Sequence, residues 1–131
     1  IMVQKDDPVE MIHLADFVLA ASGTATLQVA LLEKPMVIMY KMKWLTGLIA
    51  KVLVRGVKFF GLPNLIAGRE IMPERWQSGA NAEELFGLIC KYIDDPARAK
   101  KAREDLAELK KYLGEKGATE RVSASLEEYL K

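Results

Sequence analysis

The chain has 131 residues, 50% hydrophobic and 28% charged, the balance of an ordinary globular domain large enough to bury a core. Its 19 basic and 18 acidic residues leave a net charge of +1, which excludes the strong basic field of a nucleic-acid binder, so no nucleic-acid partner is expected. A single cysteine, Cys90, excludes an internal disulfide framework and fits a reducing compartment; among Phe86, Leu88 and Ile89 it reads as inert core.

Residues 1–3 read as the stub of a strand cut from a longer chain, because Ile1 stands where an initiating methionine would. Lys5, Asp6, Asp7 and Glu10 break any secretory leader, and no run reaches the ~18 apolar residues of a spanning helix. Asp7-Pro8 opens a short helix with Val9, Ile12 and Leu14 on its apolar face. Residues 17–21 are continuously apolar and suit a strand buried on both faces. Ser22-Gly23-Thr24 turns the chain into a helix over 25–33, which Lys34-Pro35 ends before a second buried strand over 36–40. Strand, glycine turn, helix and strand make a βαβ unit, so the fold class is α/β with a parallel sheet flanked by helices. Residues 44–54 look helical, 57–60 form a third short strand, and 61–68 an irregular loop. An amphipathic helix follows over 81–93. After Asp94-Asp95-Pro96 comes a long helix striped by Ala99, Ala102, Leu106, Leu109 and Leu113. Lys100 with Glu104, and Lys101 with Asp105, pair on its wet face. Gly114 and Gly117 stop it, and 118–130 make a last helix; the division is an α/β part over 1–93 and a helical tail over 94–131.

Three stretches hold candidate chemistry. Ser22-Gly23-Thr24 stands where a strand feeds a helix, whose first amides lack internal partners and carry partial positive charge. The turn suits a diphosphate, or it is a plain helix cap by Ser22 or Thr24. Leu62-Pro63-Asn64-Leu65-Ile66-Ala67-Gly68-Arg69-Glu70 is either a surface turn or a ligand loop, with Arg69 able to fork onto phosphate and Asn64 to read a hydroxyl or base edge. Residues 43–55 join a broad apolar face (Trp44, Leu45, Leu48, Ile49, Val52, Leu53) to Lys43, Lys51 and Arg55, which fits an internal helix with a basic edge or one lying on an anionic membrane. His13, the only histidine, reads as a partly buried structural side chain, and no cluster has metal-ligand spacing.

Taken together, Leu19-Ala20-Ala21-Ser22-Gly23-Thr24-Ala25-Thr26-Leu27, Lys34-Pro35-Met36-Val37, Tyr40-Lys41-Met42-Lys43 and the 62–70 run resemble the lipid-A-disaccharide synthase family, in that order along the chain. The 62–70 run behind Tyr-Lys-Met-Lys is the specific part. The resemblance implies part of the Rossmann-like C-terminal domain of a GT-B glycosyltransferase, in which UDP-2,3-diacylglucosamine donates its sugar, with inversion, to lipid X, giving a β-1,6 disaccharide. It implies no metal or other cofactor, and a cytoplasmic place, peripheral on the inner membrane of a Gram-negative-type bacterium. Ser22, Gly23 and Thr24 would then hold the diphosphate, Gln28 the ribose, and Asn64, Gly68, Arg69 and Glu70 would approach UDP from the neighbouring loop. Arg69 would stabilise the leaving diphosphate, with Tyr40 and Lys41 near the donor. The family usually carries glutamate where this chain has Gln28, which keeps an acceptor but loses the charge. The acceptor domain, and the general base with it, would lie outside this chain, so no catalytic residue is assigned and the chain alone is expected not to turn over. The helical tail leaves a homodimer open through exchange of a terminal element. Rival readings are another GT-B enzyme, such as a UDP-N-acetylglucosamine 2-epimerase or a peptidoglycan glycosyltransferase, and a non-catalytic docking module.

Overall fold

In the computed structural model, residues 8–41, 58–113 and Ser123 are described. The expected helix over 44–54, the strand stub at 1–3 and the last helix over 118–130 lie outside them, as do Gly114 and Gly117. Along the chain run α1 (Pro8–Leu14), β1 (Val18–Ala21), α2 (Thr24–Leu31), β2 (Met36–Tyr40), α3 (Leu62–Ala67), β3 (Glu74–Trp76), a 3-10 turn (Gln77–Gly79), α4 (Ala82–Ile93) and α5 (Pro96–Tyr112).

The sheet has the order β1-β2-β3, and both pairings are parallel, as the βαβ pattern requires. Val18 stands opposite Met36 and Ala21 opposite Met39, while Tyr40 stands opposite Trp76, so all three strands end at one edge. The central strand β2 carries the burial: Met36, Val37 and Ile38 are fully enclosed. Against it pack Val29 and Ala30 of α2, Leu85, Leu88 and Tyr92 of α4, and Ala99, Ala102, Leu106 and Leu109 of α5. The long helix therefore seals the same core, and truncating Leu106 to alanine would remove ~2–5 kcal/mol. Both long helices start on side-chain caps that satisfy a first-turn amide: Asn81 Oδ1 accepts from Glu84 N at 2.9 Å and Asp95 Oδ1 from Arg98 N at 3.1 Å. Among the described residues no helix is long and apolar enough to cross a membrane.

Several expectations are corrected. The third strand is not at the 57–60 segment, whose described residues, Lys58, Phe59 and Phe60, join no sheet. The backbone of Phe60 is taken by side chains: Glu74 accepts its N–H and Ser22 donates to its carbonyl. Polar Glu74-Arg75-Trp76 fills the edge of β2 instead, with Ile38 N donating to Pro73 O at 2.9 Å. The expected loop over 61–68 is mostly α3, because Pro63 sits in a first turn where its missing N–H does no harm and Gly68, at φ 66°, closes the end. β1 is covered on one side only; Leu19 is 46% exposed, as an edge strand with one open face allows. Phe86 is 70% exposed and Cys90 half-buried, since both lie off the stripe of α4 that Leu85, Leu88 and Tyr92 bury. His13 is exposed, its backbone carbonyl accepting from Lys34 Nζ at 2.8 Å. Asp105 is not on the wet face of α5 but buried.

Candidate functional site

The parallel strands deliver their ends to a single edge, where ligands of open α/β sheets bind. At the end of β1, Ser22 N donates to Met39 O at 2.8 Å, which continues the ladder by one step. Gly23 then adopts φ 155° and ψ −167°, a region open in practice only to glycine. A Cβ there would meet nothing within 4 Å, so the demand is conformational rather than steric. Gly23 is the N-cap of α2 and has no side chain to cap with. Its carbonyl accepts from Thr26 Oγ1 at 2.7 Å and Thr26 N at 3.1 Å, which closes the turn and leaves Thr26 fully buried. Among the described residues nothing accepts from the amides of Thr24 and Ala25, and both residues are exposed. A short anion-ready mouth results, with Gln28 exposed one turn further along the face that Thr24 begins.

Beside the mouth stands an aromatic row. Tyr40, at the end of β2, stacks on Phe60 at 6.0 Å between centroids, and Phe60 stacks on Trp76, at the end of β3, at 5.7 Å. Trp76 is 47% exposed, and exposed Lys41 follows Tyr40. The row is tied to the turn through Ser22, whose hydroxyl donates to Phe60 O at 3.0 Å. Ser22 therefore spends its one hydrogen on the protein, which leaves the main-chain amides and the Thr24 hydroxyl as the donors facing outward.

Asn64 does not face that edge. Its side chain is fully buried and engaged at both ends: Oδ1 accepts from Ile71 N and Met72 N, each at 2.8 Å, and Nδ2 donates to Met72 O and Glu74 Oε1, each at 2.6 Å. It shapes the loop between α3 and β3 and has no atom left to read a hydroxyl or base. Gly68, Arg69 and Glu70 precede β3 and so come in at the opposite end of the strand from Trp76. Arg69 Nη2 reaches α5, 2.8 Å from Asp105 Oδ1 and 3.5 Å from Glu108 Oε2, with Lys101 Nζ also 2.8 Å from Asp105. Burial pushes the Asp105 carboxyl up, but hydrogen bonds from Arg69 and Lys101 overcome it and hold Asp105 below its ordinary value. The same bond to Asp105 raises Arg69. Ser22, Gly23, Thr24, Gln28, Tyr40 and Lys41 thus gather on the carboxyl edge of the sheet, while Asn64 lies beneath it and Arg69 clamps the far side.

A separate cleft of about 190 Å³ lies between residues 70–73, α4 and α5, where Glu70 and Asp105 offset Arg98 and Lys101. Among the described residues no group of histidine, cysteine, aspartate and glutamate could hold a metal ion. Phe60, Glu74 and Trp76 are the site residues that sequence reasoning missed; the available signal was a tryptophan directly after a charged Glu-Arg pair, a poor core strand but a good exposed one.

A parallel sheet with a glycine turn feeding a helix at its carboxyl edge defines a Rossmann-like α/β domain in part. The family model described as lipid-A-disaccharide synthetase matches residues 1–128. The lipid-A-disaccharide synthase of Geobacter sulfurreducens is 39% identical over 130 residues, covering 99% of this chain and 34% of that protein. Lipid-A-disaccharide synthase of Persephonella marina is 40% identical over 91% of the chain, and lipid-A-disaccharide synthase 1 of Legionella pneumophila 47% identical over 80%. The chain belongs to the lipid-A-disaccharide synthase family, and it spans about a third of the length of the curated relatives it matches.

Proposed function

We propose that this chain is the nucleotide-sugar-binding part of a glycosyltransferase of lipid A biosynthesis that transfers 2,3-diacylglucosamine from UDP to lipid X. The observation that carries the reading is the glycine-only turn at Gly23, with outward amides at Thr24 and Ala25, on the carboxyl edge of a parallel sheet. Those amides and the Thr24 hydroxyl take the oxygens of the diphosphate. As the bond from the anomeric carbon to the diphosphate breaks, negative charge grows on the leaving oxygens, and fixed donors gain strength in that transition state without moving. Gln28, one turn on, presents a carbonyl acceptor to a ribose hydroxyl, and the Lys41 ammonium adds charge at the same edge. Ser22 holds the turn to Phe60. Asn64 builds the loop from beneath, and Arg69 fastens that loop to α5 rather than touching the nucleotide. The α/β part over 1–93 and the tail over 94–131 act as one donor-side unit.

The acceptor hydroxyl attacks from the face opposite the diphosphate, so the linkage formed is inverted; the base that takes its proton lies outside this chain, and the chain alone does not turn over. Both substrates are membrane lipids, so residues 43–55, whose sequence joins Trp44, Leu45, Leu48, Ile49, Val52 and Leu53 to Lys43, Lys51 and Arg55, serve as the contact with an anionic membrane on the cytoplasmic side. Backbone amide NMR during a UDP titration tests the donor site. Saturable shifts at residues 22–25 and 28 are expected. A dispersed spectrum that UDP leaves unchanged at those amides overturns the reading.

A further inference from the structure

We propose that Glu74 is the positioning residue of the donor site, acting through the Phe60-Gly61 peptide; the inference rests on the UDP-binding role of the Gly23 turn. The Glu74 carboxylate touches neither the turn nor the outward amides. Its Oε2 accepts from Phe60 N at 2.9 Å, and its Oε1 accepts from Gly61 N at 3.0 Å and from Asn64 Nδ2 at 2.6 Å. Among the described residues no cation pairs with it, so neutral amides alone hold the charge.

One peptide unit is thereby gripped from both sides. Its N–H, on Gly61, goes to Glu74, and its C=O, on Phe60, accepts from the Ser22 hydroxyl. A carboxylate on the N–H side polarises the peptide and strengthens the carbonyl as an acceptor, so the two bonds support each other. Gly61 runs close over the sheet: a Cβ there would lie 2.5 Å from Ile38 Cδ1 and 2.9 Å from Glu74 Oε1, so those side-chain ends would have to move aside. The backbone is pressed against the sheet at this point, and the carboxylate fixes its height. From that peptide hang both neighbours of the ligand mouth, Ser22 on one side and the Phe60 ring between Tyr40 and Trp76 on the other. A plain helix cap would bind only first-turn amides of α3; Glu74 binds those of Phe60 and Gly61, at and before its N-cap.

The test uses the full-length polypeptide that carries this segment, with UDP as the probe in calorimetry. Glu74→Gln keeps the shape but sets an NH2 or loses an acceptor where two amides need one each, and it is expected to weaken UDP binding about tenfold, the worth of one hydrogen bond to a charged group. Ser22→Ala is expected to weaken it similarly, and the double variant to bind no worse than Glu74→Gln alone, because both act through one peptide. A merely structural role predicts penalties that multiply. Affinity for UDP within twofold of the parent in a folded Glu74→Gln, or multiplied penalties in the double variant, overturns the proposal while leaving the donor site standing. A parent protein that binds no UDP removes the donor site and this inference with it. If Glu74→Gln does not fold, Glu74→Asp carries the comparison: the shorter carboxylate cannot span both amides, so an intermediate loss is expected, and unchanged affinity overturns the proposal.

Discussion

Asn64 offers the sharpest quantitative test of the scaffold. Replacing it with alanine strands the amides of Ile71 and Met72 and the carbonyl of Met72, and those two residues are 7% and 0% exposed. Each buried group left unpaired costs roughly 1–3 kcal/mol, and a water entering the vacated space recovers a part, which gives a net loss of about 4 kcal/mol. Against the roughly 5–15 kcal/mol typical of a whole domain this is a large fraction, about a quarter or more. Asn64→Asp is as informative. It keeps the acceptor for both amides but turns the other oxygen toward Met72 O and the Glu74 carboxylate, with a charge in a site closed to water. At neutral pH it should be at least as damaging. Its acid would be raised in the fold, so the lost stability returns as pH falls below that raised value, whereas the alanine variant shows no such recovery. Urea denaturation followed by far-ultraviolet circular dichroism, at neutral pH and in mild acid, measures both. A loss under ~1 kcal/mol for Asn64→Ala would mean instead that those amides are open to solvent and that Asn64 is not their necessary partner.

Gly23→Ala should cost about 1–3 kcal/mol from backbone conformation alone and abolish saturable UDP shifts at residues 24–25; tight binding with unchanged stability would show that the turn tolerates a side chain. Asp105 is held below its ordinary value by Arg69 and Lys101, so its contribution is intact above the usual carboxylate range and lost only as pH falls through the depressed value. Asp105→Asn should flatten that acid limb of an unfolding-versus-pH curve, and Arg69→Ala should move it toward neutral pH. Tyr92 is pushed up to about 12, chiefly by burial, while its hydroxyl donates to Met72 Sδ at 4.0 Å. Its contribution is intact below the ordinary tyrosine value and declines as pH rises from there to about 12, and Tyr92→Phe should remove that alkaline decline.

The parts of the fold legible in the sequence were those set by periodicity and by glycine and proline. The apolar runs ending at Ala21 and Tyr40, the turn between them, and the stripe of α5 all stand where pattern puts them. What escaped was set by side chains reaching across the chain. Nothing in Glu74-Arg75-Trp76 alternates as a buried strand does, because it pairs on the sheet with its side chains half-buried or exposed. The segment at Lys58-Phe59-Phe60 looks like a strand until Ser22 and Glu74, distant in sequence, claim the Phe60 backbone. Asn64 and Arg69 read as ligand groups because amide and guanidinium groups in a loop suit a ligand, and the same chemistry suits a buried loop bracket and an ion pair to Asp105. Residue type names the bond a group can make; only the path of the chain names the partner.

The outward donors at Thr24 and Ala25 belong to the main chain, and that bears on how such a site endures sequence change. Exchanging the Ala25 side chain leaves its N–H in place, so drift there would be largely silent to an anion held by the proposed site, whereas a change at Thr24 would keep the N–H and lose the hydroxyl. Shape is what must be inherited, and it is concentrated in Gly23 and the buried Thr26 that closes the turn behind it. Such a mouth also cannot distinguish one diphosphate from another, since every backbone amide is alike. In the donor site proposed above, discrimination among donors would fall to the rim, to Gln28, Tyr40, Lys41 and the aromatic row, where substitutions would retune the ligand without disturbing the grip.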